Sequence, residues 1–426
     1  MGIHPTRPPD SPPHAREHNM LTKEDNELLT SVCGDAPMGQ MLRQHWWIPA
    51  LPSETLVADG TPRRVKLFGA KYVAYRSTDG RVGFIDEACP HRGASLALAR
   101  NEHNGLRCIY HAWKFSIEGR AVEVPTQPNK EAEFCSRVPF KQYPAREAAG
   151  VVWVWLGKDA AKGAEPPPFP DLVVHGLPAS QRRTYRQQVH ANWLQGVETT
   201  MDSAHLILHS SHVAGQGDLG NITMDLAPAY QLKAEPYGFR YAAIRKLETG
   251  SYVRANSFVM PWYGVIAPSD SSMDAGSVFF SVPIDDENSW YWQIAFRVDG
   301  PMPVPFMPHY TDPDNWPPKV PGDETNNWGQ NREAMRLGHF SGFPQSLGTE
   351  DFAVLTSMGP IVDRTQEFLG AGDGAIVQVR RCLLRSVQEF MRGQTPELAE
   401  HRKIDYAAVR PRAGRIGQGE SWESLV

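Results

Sequence analysis

Cys89-Pro90-His91-Arg92-Gly93-Ala94 and, with sixteen residues between His91 and the second cysteine, Cys108-Ile109-Tyr110-His111-Ala112-Trp113-Lys114 form the stretch on which the reading of this chain turns. Each half offers one thiolate and one imidazole. Two thiolates can hold one iron of a [2Fe–2S] cluster while two imidazoles hold the other. Neutral imidazoles in place of anionic thiolates make such a cluster easier to reduce, with potentials of roughly −150 to +300 mV against about −400 mV for an all-cysteine plant-type cluster. Tetrahedral zinc also accepts two Cys and two His. Zinc fingers, however, pair Cys with Cys and His with His, whereas each short segment here carries one of each, and that favours the cluster.

Around this stretch the sequence is β-rich. Val65–Phe68, Tyr72–Tyr75, Val82–Ile85 and Val151–Trp155 are short apolar runs separated by Gly, Asp and Pro, which predicts a small strand-built domain over 46–157. Residues 21–45 read as a helical lead-in, and 1–20, rich in Pro and His and without an apolar stretch, as a disordered tail rather than a signal peptide. The triple proline in 158–175 predicts a linker. A second domain is expected over 176–395, with long strand-like runs such as Phe239–Leu247 and Tyr252–Met260 followed by helical segments. The Pro- and Trp-rich stretch 300–346 reads as an irregular insertion, and the basic, Gly-bearing 396–426 as an extended tail.

The second constellation lies in Asn192-Trp193-Leu194-Gln195-Gly196-Val197-Glu198-Thr199-Thr200-Met201-Asp202-Ser203-Ala204-His205-Leu206-Ile207-Leu208-His209. A helix over 191–212 would put Glu198, Asp202, His205 and His209, spaced by four, three and four, on one face. Two imidazoles and a carboxylate with coordination positions left open suit oxygen-activating ferrous iron. The same stripe also suits a solvated helix face, and His212 rivals His205 on spacing alone.

Together these residues resemble the Rieske non-haem iron oxygenases. Rieske proteins of respiratory chains add a bracing cysteine to each loop. None follows His91 or His111 here, which points to the oxygenase branch. The resemblance implies a Rieske [2Fe–2S] cluster held by Cys89, His91, Cys108 and His111, and a mononuclear Fe(II) held by His205, His209 and a distant aspartate, Asp351, with Glu350 beside it as competitor. It implies that Asp202 is no ligand but a bridge, running from His111 of one subunit through Asp202 to His205 of the next in a homotrimer or a multiple of three. Asn192 joins Asp202 in the catalytic set on the same ground. The implied fold is α+β, an N-terminal β-rich Rieske domain and a C-terminal helix-grip catalytic domain whose antiparallel sheet curves around a long helix. Asn192-Trp193-Leu194-Gln195, Glu198, Ser357-Met358-Gly359-Pro360 and Asp363-Arg364-Thr365-Gln366-Glu367 look most like the phthalate 4,5-dioxygenase group, which includes aryl-ether O-demethylases.

The expected activity is therefore that of a terminal oxygenase, using O2 and NADH-derived electrons from a separate reductase or ferredoxin to hydroxylate or O-demethylate an aromatic carboxylic acid, phthalate-like or a lignin-derived methoxybenzoate. A non-catalytic Rieske electron-transfer protein is the alternative. Alternation in Ser251–Phe258 projects Arg254 to one face, where it could pair with a carboxylate, and Arg245 is a second candidate. No Cys-x4-Cys-x2-Cys run supplies a second cluster. Gly215-x-Gly217-x-x-Gly220 follows a helix rather than a strand, so it does not predict a dinucleotide site. Ser203, His205 and Asp202 are helix neighbours without a nucleophile elbow and do not make a hydrolase triad. A net charge of −5 gives no reason to expect nucleic acid or an anionic membrane, no run is long enough to span one, and five scattered cysteines fit a reducing cytoplasm.

Overall fold

The structure, a computed structural model, describes residues 21–215, 217–303 and 322–426. The expected tail 1–20 and the part of the predicted insertion over 304–321 lie outside the described residues.

Two helices open the chain, Lys23–Thr30 and Pro37–His45. The first starts at Thr22, whose Oγ1 accepts the Asp25 N–H at 3.0 Å, and the second carries Pro at its first turn, where a missing N–H costs nothing. Three small antiparallel sheets follow. One joins Ile48–Pro52, Val151–Val154 and Ala145–Ala148, the next Arg63–Leu67, Ala70–Arg76 and Val82–Asp86, and the third Arg100–Glu102, Gly105–Arg107, Lys114–Ser116 and Ala121–Glu123. The run Tyr72–Tyr75 is apolar throughout because its two faces serve two cores. Tyr72 and Ala74 pack into the main core, while Val73 and Tyr75 pack with Cys89, Cys108 and Trp113 beneath the loops of the first motif.

The second domain is built on an eight-stranded antiparallel sheet. Its order is Arg182–Val189, Ser289–Arg297, Ala275–Pro283, Tyr263–Ile266, Ser251–Val259, Gly238–Lys246 and Ala229–Glu235, with Arg412–Ile416 also paired to Ser251–Val259. The 18-residue helix Gly374–Met391 lies against this sheet and the opening helices. Ala375, Val379, Leu383 and Val387 recur every four residues and form its buried stripe. Full burial stabilises by roughly 1.5–3 kcal/mol for each larger aliphatic side chain.

Three expectations are corrected. Residues 396–426 do not trail from the fold. Arg412–Ile416 pairs with Ser251–Ala255, the half of that inner strand left uncovered by Tyr263–Ile266, and Trp422 is buried with Ile416, Ala242 and Val253. The stretch 158–175 is a packed strap rather than a loose linker. Phe169 lies 5.7 Å from Trp47 and 5.5 Å from Trp153, edge to face, and Trp47 Nε1 donates to the Pro167 carbonyl at 2.8 Å. The helix expected over 191–212 ends at Met201. Asp202 caps it, and His205–His209 follows as a 3-10 turn.

Candidate metal centres

The first loop of the motif crosses from Val82–Asp86 in one sheet to Arg100–Glu102 in the next, the second closes the hairpin Gly105–Arg107 and Lys114–Ser116, and the two share one hydrogen-bond scheme despite different sequences. Cys89 N donates to Ala94 O at 2.8 Å and Gly93 N to Cys89 O at 2.8 Å; Cys108 N donates to Trp113 O and Ala112 N to Cys108 O, both at 2.9 Å. In each the fifth residue is left-handed, Gly93 at φ 74° and Ala112 at φ 60°. The scheme turns both cysteines inward, each 3% exposed, and leaves both histidines half-buried at the tip.

The His91 and His111 rings lie 4.4 Å apart, and His91 stacks on Trp113 at 4.3 Å. Trp113 is itself held by donation from Nε1 to Thr126 Oγ1 at 2.9 Å. His91 Nδ1 is buried with no protein partner. Such an orphan lone pair is costly unless something binds it. Burial pushes the Cys89 thiol up to about 11, against the backbone N–H groups of His91 and Arg92 that favour its thiolate. Iron would reverse that balance, because a coordinated thiol is deprotonated. The donor set, two buried thiols and two half-buried imidazoles, therefore fits a [2Fe–2S] cluster.

The second centre is assembled from distant elements. Asn192 opens the helix Trp193–Met201, its Oδ1 accepting the Leu194 N–H at 3.1 Å. Past the helix end, Asp202 Oδ1 accepts the Ala204 N–H at 2.6 Å, and Asp202 Oδ2 lies 3.4 Å from His205 Nδ1. Asp351 comes from the helix Leu347–Ser357, started by Ser346, whose Oγ accepts the Thr349 N–H at 3.1 Å. Its Oδ1 lies 3.1 Å from His209 Nε2 and 3.7 Å from His205 Nε2. Among the described residues His205, His209 and Asp351 form one group able to hold a metal ion. Asp351 Oδ1 is buried and makes no well-aligned hydrogen bond to either ring, as expected of an atom aimed at an ion rather than a proton.

The electrostatics agree. Burial disfavours a charged His209, yet Asp351 and Glu350 outweigh it and push the imidazole up to about 10. Burial likewise works to raise the Asp351 carboxyl, and His209 and His205 overcome it and hold it below the usual carboxylate range. A site that draws a proton onto a buried imidazole is one that favours a cation, and a divalent ion would displace that proton.

A cavity of about 750 Å³ adjoins this group, lined by apolar side chains such as Leu206, Ile266, Phe279 and Phe352 and by Asn256, Gln293 and Arg254. A second cavity, about 330 Å³, lies beside the same centre, with His205, Asp202 and Asp351 again in its wall together with Phe368, which is 94% exposed. The centre can thus be approached from two sides.

Several sequence candidates do not fall where expected. Glu198 does not share one helical face with the histidines, because the helix ends before Asp202, although it lines the smaller cavity with His205. It is buried between Arg364 Nη2 and Arg380 Nε, each at 2.7 Å, and Arg380 also reaches Glu367. Asn192 lies outside both cavity walls, its Nδ2 donating to Thr30 O at 2.9 Å and Asp286 O at 2.6 Å, so its role is to tie the helix start to the lead-in. Arg245 is wholly buried, donates to Ser203 O at 2.7 Å and does not line either cavity. Arg254 does line the larger one, although two of its N–H groups donate to Ala267 O at 2.6 Å and Pro268 O at 2.8 Å. His212 turns from the metal group toward Glu350, its Nε2 3.7 Å from Glu350 Oε1. No spacing rule distinguishes the buried Arg364 and Arg380 from surface arginines.

A family model described as Rieske [2Fe-2S] domain matches residues 46–144, and one described as LigXa C-terminal domain like matches 155–425. The chain is 37% identical to the phthalate 4,5-dioxygenase oxygenase subunit of Pseudomonas putida, over 88% of each chain. It is 30% identical to the 5,5'-dehydrodivanillate O-demethylase oxygenase subunit of Sphingobium sp. (strain NBRC 103272 / SYK-6), over 89% of this chain and 83% of that one. In fold it is similar to Pseudomonas putida CBB5 NdmA, with a TM-score of 0.57 at 18% identity over 90% of this chain and all of the other. The oxygenase in a reduced oxygenase–ferredoxin complex of carbazole 1,9a-dioxygenase also has a TM-score of 0.57, at 19% identity over 85% of this chain and 93% of that one.

Proposed function

The chain belongs to the Rieske non-haem iron oxygenases, in the phthalate 4,5-dioxygenase-like group, and from that premise we propose that it is the terminal oxygenase of a multicomponent system acting on an aromatic carboxylic acid. In this reading it takes NADH-derived electrons from a separate reductase or ferredoxin and uses O2 to hydroxylate or oxidatively O-demethylate its substrate. The observation that carries it is the convergence of His205, His209 and Asp351 on the wall of a largely apolar cavity of about 750 Å³. An electron carrier would need neither.

With both centres loaded, the cluster would supply electrons one at a time and a ferrous ion held by two imidazoles and a carboxylate would supply oxygen activation. The chain's own residues do the rest. Leu206, Ile266, Phe279 and Phe352 exclude water and accept an aromatic ring. Arg254 is positioned to meet a carboxylate with the N–H groups that Ala267 and Pro268 leave free. Asp202, whose Oδ2 lies 3.4 Å from His205 Nδ1, would orient that ring.

A homotrimeric arrangement, or a multiple of it, is supported by apolar surface beside each centre. Ile109 and Tyr110 are exposed between the cluster ligands, and Phe368, Val354 and Met358 are exposed beside Asp202 and Asp351. Such patches suit a subunit interface. In a ring, His111 of one subunit would approach Asp202 of the next, so that electrons cross between chains. A ferredoxin-bearing partner fits the lack of a second cluster motif. All five cysteines are unbridged, which suits a reducing, cytoplasmic setting where NADH is available. Among the described residues no helix is long and apolar enough to cross a membrane.

The test is iron quantitation with a product screen. Three irons per chain are expected, with products from phthalates, methoxybenzoates or biaryl acids. A cis-diol marks dihydroxylation and formaldehyde marks demethylation. Two irons per chain and no product would leave an electron-transfer protein instead.

A further inference from the structure

Glu350 and Asp351 are adjacent in the first turns of one helix, where successive residues point about 100° apart. They reach the two nitrogens of a single imidazole. Asp351 Oδ1 lies 3.1 Å from His209 Nε2, and Glu350 Oε2 lies 2.6 Å from His209 Nδ1. We propose that Glu350 is the positioning residue of the mononuclear centre: its carboxylate accepts the Nδ1 proton of His209, fixes the tautomer that leaves Nε2 free for the ion, and ties the ring to the segment 339–343. This rests on the reading of His205, His209 and Asp351 as the iron-holding set.

Glu350 is 0% exposed, and a buried carboxylate is tolerated only when its oxygens are engaged. Here both are. Oε1 accepts from Ser341 Oγ at 2.5 Å, and Ser341 Oγ in turn accepts the Phe343 N–H at 3.2 Å. His212 Nε2 sits 3.7 Å from Oε1 and 3.3 Å from the Phe343 carbonyl, while His339 Nδ1 accepts the Gly342 N–H at 3.1 Å. His212, His339 and Glu350 also lie close enough together to suggest a second metal site. Hydrogen bonds already engage Glu350 Oε1 and His339 Nδ1, so the cluster is a shell that immobilises Glu350. A buried carboxylate of this kind raises the basicity of a ligating histidine and holds its ring in one orientation.

The experiment uses the full-length, iron-loaded protein. Ferrous ion affinity at the mononuclear centre is measured by chelator competition, and the nitric oxide adduct of that centre is followed by EPR. The Rieske EPR signal serves as the internal check that the chain is folded. In Glu350→Ala the affinity should fall by about 10–100-fold and the nitric oxide signal should broaden, with the Rieske signal at full strength. Glu350→Gln, which keeps an acceptor for the Nδ1 proton and the same shape, should recover part of both. Three irons in the wild type with unchanged affinity and signal in Glu350→Ala would overturn this inference alone. Two irons in the wild type would overturn it together with the function proposed above, and a fourth metal lost on His339→Ala would overturn the hydrogen-bonded shell.

Discussion

The two candidate centres are built in opposite ways. The Rieske loops take all four donors from residues 89–111, on two neighbouring loops with a repeated backbone scheme, and present half-buried imidazoles at a domain tip. The second centre joins a 3-10 turn at His205–His209 to Asp351 on a helix more than a hundred residues later, between two cavities. The first is a local device whose geometry follows from short turns. The second exists only while a helix is docked at one angle against another segment, so distant packing can loosen it without touching a ligand.

Complementary ligand removals should break the comparison most completely if it is wrong. Cys108→Ala should abolish the Rieske signal while the catalytic domain keeps its single iron; His205→Ala combined with His209→Ala should remove that iron and all oxygenation while the cluster spectrum stays unchanged. Iron counts and EPR on both proteins read this directly. Loss of both centres in either variant would mean that they do not assemble independently.

The next largest effect is expected on the scaffold of the second centre. Glu198 is nine-tenths buried between Arg364 and Arg380, so Glu198→Ala leaves two guanidinium groups without that carboxylate and should destabilise the chain by about 3–5 kcal/mol. Thermal unfolding followed by circular dichroism measures it. Burial works to raise the Glu198 carboxyl, but Arg364 and Arg380 outweigh it and hold it below its ordinary value of 4.5. With the folded value depressed, its stabilisation is fully present above 4.5 and is lost as pH falls through the folded value. Wild type should therefore lose stability on acidification below 4.5 more steeply than Glu198→Gln, and parallel curves would remove Glu198 from the account.

A smaller, kinetic effect sharpens the link between the centres. Asp202→Asn should leave both metals bound and slow electron delivery by about 10–100-fold. Rapid mixing of reduced cluster with substrate and O2 checks it. Unchanged single-turnover rates would mean that electrons reach the iron without Asp202.

Legibility in the sequence followed the same division. That Cys89, His91, Cys108 and His111 converge could be read from spacing, because four donors on two tight turns have little freedom. The α+β class came from the family resemblance, and the order of strands before helix agreed with it because such periodicity is written locally, as in the buried stripe Ala375, Val379, Leu383 and Val387. Spacing misled where a helix was assumed to continue. The helix ends at Met201, so Glu198 and His205 meet at the smaller cavity across a turn and not along one helical face. The tail was misread because the partner of Arg412–Ile416 lies far upstream in Ser251–Val259.

By itself, then, the sequence determined the family and its Rieske domain, since these depend on which donor types occur at short range. Only the tertiary structure decided that Asp351 turns to Nε2 of His209 and Glu350 to Nδ1, that Arg254 lines the cavity and Arg245 does not, and that Asn192 ties a helix instead of facing a substrate. The physical reason is that neighbouring side chains on a helix or strand differ in direction by a fixed angle, whereas what each meets depends on how whole elements dock. That docking is set by the summed burial of many apolar side chains and is carried by no short motif.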